Sequence, residues 1–311
     1  MKMEVPYNFD PAILEELKKP RYKDIIDMIF TCPFSEDHHG AKKHYRIFGS
    51  HLDAVSNQPK TWEEYVWHIK QIQETGHECC LLVQDLHKPI QPETIQKYLD
   101  LGIKVFTVTR WDAAKMIRRL CPEARIVGSI TRKVSFAEFK NDVNVSAFDE
   151  HVLYFPFNRG LDRMRELNNK HKYVMLVNCG CAWTCPGHYH WYAGKGADGQ
   201  ESRRDKNPCK SGFSSLEISY RTDRLPVIAP YIAKIKLQGR EYSTPYLIHD
   251  LKEYSNFILN YDNSSKDKLF EKFSSNNAKD STYLSEDIVT EKYPSFEIED
   301  GWAEWNFSTE L

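Results

Sequence analysis

Short apolar runs alternate with amphipathic stretches along most of this chain. Seven runs of five to seven residues are rich in branched aliphatic residues and Phe, which is typical of parallel strands buried on both faces. We predict strands at Ile25–Thr31, Cys79–Val83, Lys104–Val108, Arg125–Ile130, His151–Phe155, Tyr173–Val177 and Ala233–Leu237.

Helical patterns lie between these runs and carry recognisable start signals. Thr61 precedes one pattern and Thr244 precedes another, and hydroxyl side chains are favoured as helix N-caps. Pro245 then suits the first helical position. The predicted helices are Trp62–Glu74, Pro92–Leu101, Trp111–Leu120, Leu161–Asn169 and Pro245–Leu259.

Alternating strands and helices predict an α/β fold, and seven strand signals favour a TIM-like (β/α) barrel, regular or irregular, over an open sheet. The length of 311 residues suits a barrel of roughly 250 residues followed by a tail. We therefore predict a barrel over 1–259, with a cysteine-rich metal loop at 178–210. The polar, aromatic-ended tail at 260–311 either docks on the barrel or a partner or lies loosely on the surface.

Polar residues follow each predicted strand, where the loops of a barrel begin. Chemistry in such folds gathers at the carboxyl ends of the strands, so we expect these side chains to converge on one face. They are Cys32, Gln84-Asp85, Thr109-Arg110, Thr131-Arg132, Asn158-Arg159, Asn178-Cys179 and Gln238-Gly239-Arg240.

Composition excludes few classes of function but suggests a compartment. The formal net charge is -2, from 42 basic and 44 acidic residues, so the overall charge does not indicate a nucleic-acid binder. Arg118-Arg119 and the run Arg203–Lys206 are candidate local basic patches. The start Met-Lys-Met-Glu-Val-Pro resembles no secretory segment, and no apolar run is long enough to span a bilayer. We expect a cytoplasmic protein, where reduced thiols favour metal over disulfides.

The cysteines are concentrated in one loop. Four of the eight lie between residues 179 and 209, and the others are Cys32, Cys79, Cys80 and Cys121. Cys181 and Cys185 can converge on one centre from an irregular loop, and Cys209 can complete the site. Soft sulfur ligands select zinc or an iron–sulfur cluster, and spacing alone does not separate the two. Packed, reduced thiols without metal are the third interpretation.

Other chemistry is conceivable in the same loop. Radical S-adenosylmethionine enzymes use C-x-x-x-C-x-x-C, and here His188 occupies the third position. That substitution, and the late place of the loop in the chain, disfavour such an enzyme. His188 and His190 are candidates to ligate metal, transfer a proton or bind substrate. Cys79 and Cys80, inside a strand, are expected to be core residues.

Three stretches together resemble the collagenase-like peptidase family U-32 and its iron–sulfur relatives, which carry out oxygen-independent hydroxylation in ubiquinone synthesis and RNA modification. They are Phe155–Leu167, Leu176–His188 and Lys236–Pro245. The resemblance implies a TIM-like barrel with a 4Fe–4S cluster near one mouth. It also implies that Cys181, Cys185 and Cys209 are ligands, with either Cys179 or Cys32 as the fourth.

The resemblance implies a redox enzyme that modifies RNA or a small aromatic or anionic substrate. In that hypothesis Arg159 and Arg240, with Lys236, orient an anionic group, His188 is catalytic, and Asn178 and Trp183 adjoin the cofactor. An electron donor or partner protein is expected, and a membrane is not. No H-E-x-x-H or G-x-S-x-G motif supports a U-32-type peptidase. A barrel scaffold with structural zinc is the other alternative.

Overall fold

A computed structural model describes residues 1–34, 57–83, 89–130, 145–153, 172–178, 229–237 and 244–260. Eight parallel strands close into one barrel in chain order, which confirms the predicted TIM-like fold. The strands are β1 (Lys2–Pro6), β2 (Ile26–Thr31), β3 (Glu78–Val83), β4 (Val105–Val108), β5 (Arg125–Gly128), β6 (Glu150–Val152), β7 (Lys172–Leu176) and β8 (Lys234–Lys236).

All seven predicted strands are present, but the sequence prediction missed the strand that opens the chain. β1 is five residues long and pairs with β2 on one side and with β8 on the other, so it completes the ring. Lys2 and Glu4 interrupt its apolar pattern, which hid it among the polar residues of the start. Cys32 consequently follows the second strand of the barrel, not the first.

Five α-helices lie in the described ranges: α1 (Pro11–Leu17), α2 (Trp62–Glu74), α3 (Pro92–Leu99), α4 (Trp111–Leu120) and α5 (Thr244–Asn260). The predicted bounds of α2 and α4 are confirmed, whereas α3 ends two residues early. Thr61 caps α2 in a capping box, because its hydroxyl accepts from the Glu64 amide at 3.2 Å while the Glu64 carboxylate accepts from the Thr61 amide. The predicted helix at 161–169 lies outside the described residues.

The strand side chains divide between two apolar layers. One set packs beneath the helices and includes Val5, Ile29, Leu81, Phe106, Ile126, Met175 and Ile235. The other set fills the lumen of the barrel: Met28, Phe30, Cys80, Leu82, Val105, Val127, Val152 and Val174. The lumen is therefore a packed core and not a channel. Cys79 and Cys80 are both buried, as expected for core thiols.

The pairing of β1 with β2 contains one irregularity that matters for the lumen. Met3 pairs with Ile26 and Glu4 with Met28, so Asp27 is an extra residue opposite that step. Such bulges redirect a side chain. Here the Asp27 carboxylate reaches Lys234 on β8 and Arg125 on β5, across the amino end of the barrel.

None of the helices in the described ranges combines the length and the apolar run that crossing a bilayer requires.

Candidate functional site at the carboxyl end of the barrel

The carboxyl ends of the strands bring two predicted site residues to the same face of the barrel. Cys32 comes directly after β2, and Asn178 lies two residues beyond the end of β7. Because all eight strands are parallel, both residues lie at the mouth where TIM-barrel ligands bind. The other predicted site residues lie outside the described part of the chain: Arg159, Cys179, Cys181, Trp183, Cys185, His188, Cys209 and Arg240.

Aromatic side chains hold the chain that carries Cys32. Cys32 is buried, and its backbone carbonyl accepts a hydrogen bond from the Tyr65 hydroxyl at 2.8 Å. Two residues later, the Phe34 amide donates to the Tyr98 hydroxyl at 2.8 Å. Trp62 stacks on Tyr65, with 5.4 Å between ring centroids. This aromatic cluster fixes the backbone on which the Cys32 thiol is carried.

Helix α5 holds the start of the cysteine-rich loop. The Asn178 side-chain amide donates to the Asp250 carboxylate at 2.8 Å, and the Tyr254 hydroxyl donates to the Val177 carbonyl at 3.0 Å. Burial raises the pKa of Asp250, and the hydrogen bond from Asn178 partly opposes that rise. The described contact therefore gives Asn178 an anchoring role, while its predicted contact with a cofactor stays a prediction.

Arg110 was expected among the convergent polar residues, but its guanidinium is engaged locally. It donates to both carboxylate oxygens of Asp112, at 3.0 and 2.7 Å. These hydrogen bonds lower the pKa of Asp112. A bidentate pair of this kind fixes the start of α4 and leaves less of the guanidinium to offer a substrate.

The lumen contains a buried ion pair that the sequence analysis did not identify. The Lys236 ammonium on β8 donates to Glu4 Oε2 on β1 at 2.5 Å, and both side chains are buried. The ammonium also lies 3.8 Å from the centroid of the Phe30 ring, a cation–π contact. Lys236 was expected to orient an anion, but Glu4 compensates its charge. Glu4 was missed because β1 was missed.

A second set of buried charges lies at the amino end of the barrel. Lys234 donates to Asp27 and to Glu150, and Arg125 donates to Asp27 at 2.9 Å. Burial alone would raise the pKa of Asp27, but the Lys234 hydrogen bond and the charges of Lys234 and Arg125 outweigh it, so that pKa is lowered. Burial raises the pKa of Glu150 despite Lys234, and the charge of Glu4 adds to the rise.

These opposite shifts predict a specific pH dependence. A lowered pKa for Asp27 means that its stabilising contribution is present above its ordinary pKa of about 4 and is lost as the pH falls through the lower folded value. We expect Asp27→Asn to lose less stability between pH 7 and pH 3 than the wild type, measured by urea unfolding.

The matched control is Glu150→Gln. Because the pKa of Glu150 is raised, its contribution to the free energy of unfolding is present below its ordinary pKa and is lost as the pH rises through the raised value. In Glu150→Gln, the loss of unfolding free energy between pH 7 and pH 3 should therefore be as large as in the wild type or larger. Equal slopes for Asp27→Asn and the wild type would contradict the assignment.

Within the described ranges, no three His, Cys, Asp or Glu side chains are arranged to hold a metal ion. Cys79 and Cys80 show why thiols of the core are poor candidates. Burial raises the pKa of Cys80 to about 11 and raises that of Cys79 as well, so both thiols stay protonated near neutral pH. These two core thiols are therefore poor metal ligands.

Comparison with proteins of known structure shows that this chain resembles them in its barrel architecture. No protein-family model matches the chain, and no curated protein matches it. A U-32 peptidase of known structure is 12% identical over 76% of this chain and 92% of its own, with a TM-score of 0.48. Tryptophan synthase from M. tuberculosis is 10% identical over 82% of this chain and 90% of its own, with a TM-score of 0.45.

A third neighbour is the tryptophan synthase A-subunit from Pyrococcus furiosus, 11% identical over 82% of this chain and 97% of its own, with a TM-score of 0.45. Such identities concern the barrel alone. The fold is a TIM barrel. At these scores the neighbours carry no argument about activity, which has to come from the residues of this chain.

Proposed function

We propose that this barrel is an iron–sulfur enzyme that carries out oxygen-independent hydroxylation, or a related redox modification, of RNA or a small aromatic or anionic molecule. One observation carries the proposal: the loop with Cys181, Cys185 and Cys209 begins directly after β7, at the carboxyl mouth of the barrel. A cluster bound there would adjoin the place where barrel enzymes bind substrates.

The donor set suits a cluster chemically. Thiolates are soft ligands that bind iron–sulfur clusters or zinc and disfavour hard cations. Three thiols come from the loop, and the fourth comes from Cys179 or Cys32. Cys32 is buried at the same mouth, which supports it, whereas Cys179 is adjacent to the anchored Asn178, which supports the alternative. When bound, the cluster supplies electron transfer or a site for an oxygen-donor ligand.

The residues of the chain then have separate tasks in this proposal. Arg159 and Arg240 orient an anionic group, since a guanidinium fork matches a carboxylate or phosphate. His188 holds or delivers a proton, and Trp183 excludes water from the cofactor. Lys236 contributes little to binding an anion, because Glu4 already neutralises it. We place the enzyme in a reducing, cytoplasmic compartment with a partner that supplies electrons.

Purification without air tests the proposal. We expect a brown protein with the broad absorption of a cluster and about four irons per chain for a cubane centre. In Arg240→Ala the iron content should persist while turnover falls, and loss of iron in that variant would make Arg240 structural. Colourless protein with about one zinc per chain would favour a scaffold with a structural metal. Peptide hydrolysis that survives removal of iron would favour a U-32-type peptidase.

A further inference from the structure

The two sets of buried charge in the lumen differ in how their carboxylates are satisfied, although Arg125 Nε of the lower set also has no hydrogen-bond partner among the described residues. In the lower set, Lys234 is shared between Asp27 and Glu150, and Arg125 adds a second cation to Asp27. Every acid of this set has a basic partner. The set lies at the amino ends of the strands, where barrel residues serve stability.

The upper pair is incompletely satisfied. Glu4 is fully buried, and its Oε2 accepts from Lys236 at 2.5 Å, but Glu4 Oε1 has no hydrogen-bond partner among the described residues. An ammonium has three donors, and within the described ranges the Lys236 ammonium gives one hydrogen bond, to Glu4. The pair therefore has one open acceptor and, within the described ranges, at least one open donor.

Leaving a buried carboxylate oxygen without a partner is costly, and such groups in native proteins need an explanation. The position of the Glu4–Lys236 pair in the barrel offers an explanation for the unpaired oxygen. Lys236 is the last residue of β8, at the carboxyl end, and its side chain keeps 9% of its surface exposed. A ligand at the mouth can therefore reach the Lys236 ammonium, which lies 3.8 Å from the centroid of the Phe30 ring, while Glu4 beside it is fully buried.

Charge decides which ligand group fits. The pair is electrically neutral as a whole, so it offers no net attraction to a carboxylate or phosphate. It offers an acceptor beside a donor, and the complement of that arrangement is a donor beside an acceptor. A neutral ligand group also avoids burying an uncompensated charge.

We propose that Glu4 and Lys236 together recognise an uncharged substrate group that presents an N–H beside a C=O, as a cyclic amide does. Glu4 Oε1 accepts from the ligand N–H, and the Lys236 ammonium donates to the ligand carbonyl. This inference rests on the proposed function and deepens it by specifying which substrate group is recognised at the carboxyl end of the packed lumen. It uses no atom of the cluster.

Two small probes test the recognition directly. 2-Pyridone has the N–H and the C=O side by side, whereas N-methyl-2-pyridone keeps the carbonyl and loses the donor. We expect the full-length protein to bind 2-pyridone about tenfold more tightly, measured by calorimetry or ligand-observed NMR, because the methylated probe leaves Glu4 Oε1 unpaired. Benzoate, an anion of similar size, should bind more weakly than 2-pyridone.

The matched variants make the same chemical changes in the two charge sets. Glu4→Gln/Lys236→Met removes the upper pair without leaving a lone charge, and it should abolish the preference between the pyridones. Lys234→Met/Glu150→Gln makes the same exchanges in the lower set and should keep the tenfold preference. Circular dichroism and urea unfolding check that each variant is folded.

Equal binding of the two pyridones by the wild type, or binding of neither, overturns the inference, whatever the variants do. Loss of the preference in the lower-set variant while it remains folded also overturns it. Failure of the proposed function has a different signature, since iron content is measured on the same preparations. A protein without iron that still prefers 2-pyridone retains the recognition site and loses the iron–sulfur assignment.

Discussion

Cys181→Ser and Cys185→Ser are each expected to abolish the metal content of the protein. A serine hydroxyl is not ionised near neutral pH and is a hard ligand, so it replaces a thiolate poorly on iron or zinc. Cys181 and Cys185 are both proposed ligands, so loss of either thiolate should release the metal centre. Iron and zinc are measured by elemental analysis of anaerobically purified protein, together with its visible absorption.

The matched control for this experiment is Cys80→Ser. The Cys80 thiol is buried in the lumen, 3.3 Å from the Thr107 hydroxyl, and so has a polar neighbour that a serine can also contact. Its high pKa keeps it protonated, which disfavours metal binding. Its metal content should equal that of the wild type. Equal metal in all three variants would refute the assignment of Cys181 and Cys185.

Lys234→Met is expected to cause a large loss of stability, about 3–5 kcal/mol. Lys234 is buried between Asp27 and Glu150, and its removal leaves Glu150 buried without its cation. The free energy of unfolding is measured in urea at neutral pH. Adding Glu150→Gln should recover part of the loss, because Asp27 keeps Arg125.

Lys2→Met is the control at the same carboxylate. Lys2 also pairs with Asp27, at 3.9 Å, but its side chain is 55% exposed. Exposed pairs contribute at most about 1 kcal/mol, so this substitution should have a small effect. Similar losses for Lys2→Met and Lys234→Met would mean that burial of the pair does not determine its contribution.

The barrel was predictable because most of its strands have a clear sequence pattern. Strands buried on both faces need continuous apolar runs, and the runs from Ile25 to Leu237 have them. Helix α2 was placed to the residue, since Thr61 and Glu64 form a capping box that stands in the sequence. The strand β1 escaped because Lys2 and Glu4 alternate with apolar residues, which is the pattern of a half-exposed strand.

The candidate site was predictable only in part, for a physical reason. Sequence order shows that Cys32 and Asn178 follow strands, and parallel strands place both at one mouth. It does not show which side chains pair across the lumen. The Glu4–Lys236 pair joins residues 232 positions apart, and its discovery required the register of β1 against β8.

That register also has a consequence for biosynthesis. β1 is the first strand of the barrel in chain order, yet one of its two neighbours, β8, ends at Lys236. A nascent chain therefore carries one unpaired strand edge until nearly the whole barrel has left the ribosome, and closure of such long-range contacts is slow. Until then Glu4 lacks its Lys236 partner. The ring closes only when the two ends of the barrel sequence meet, so a truncated product would retain an open edge prone to aggregation.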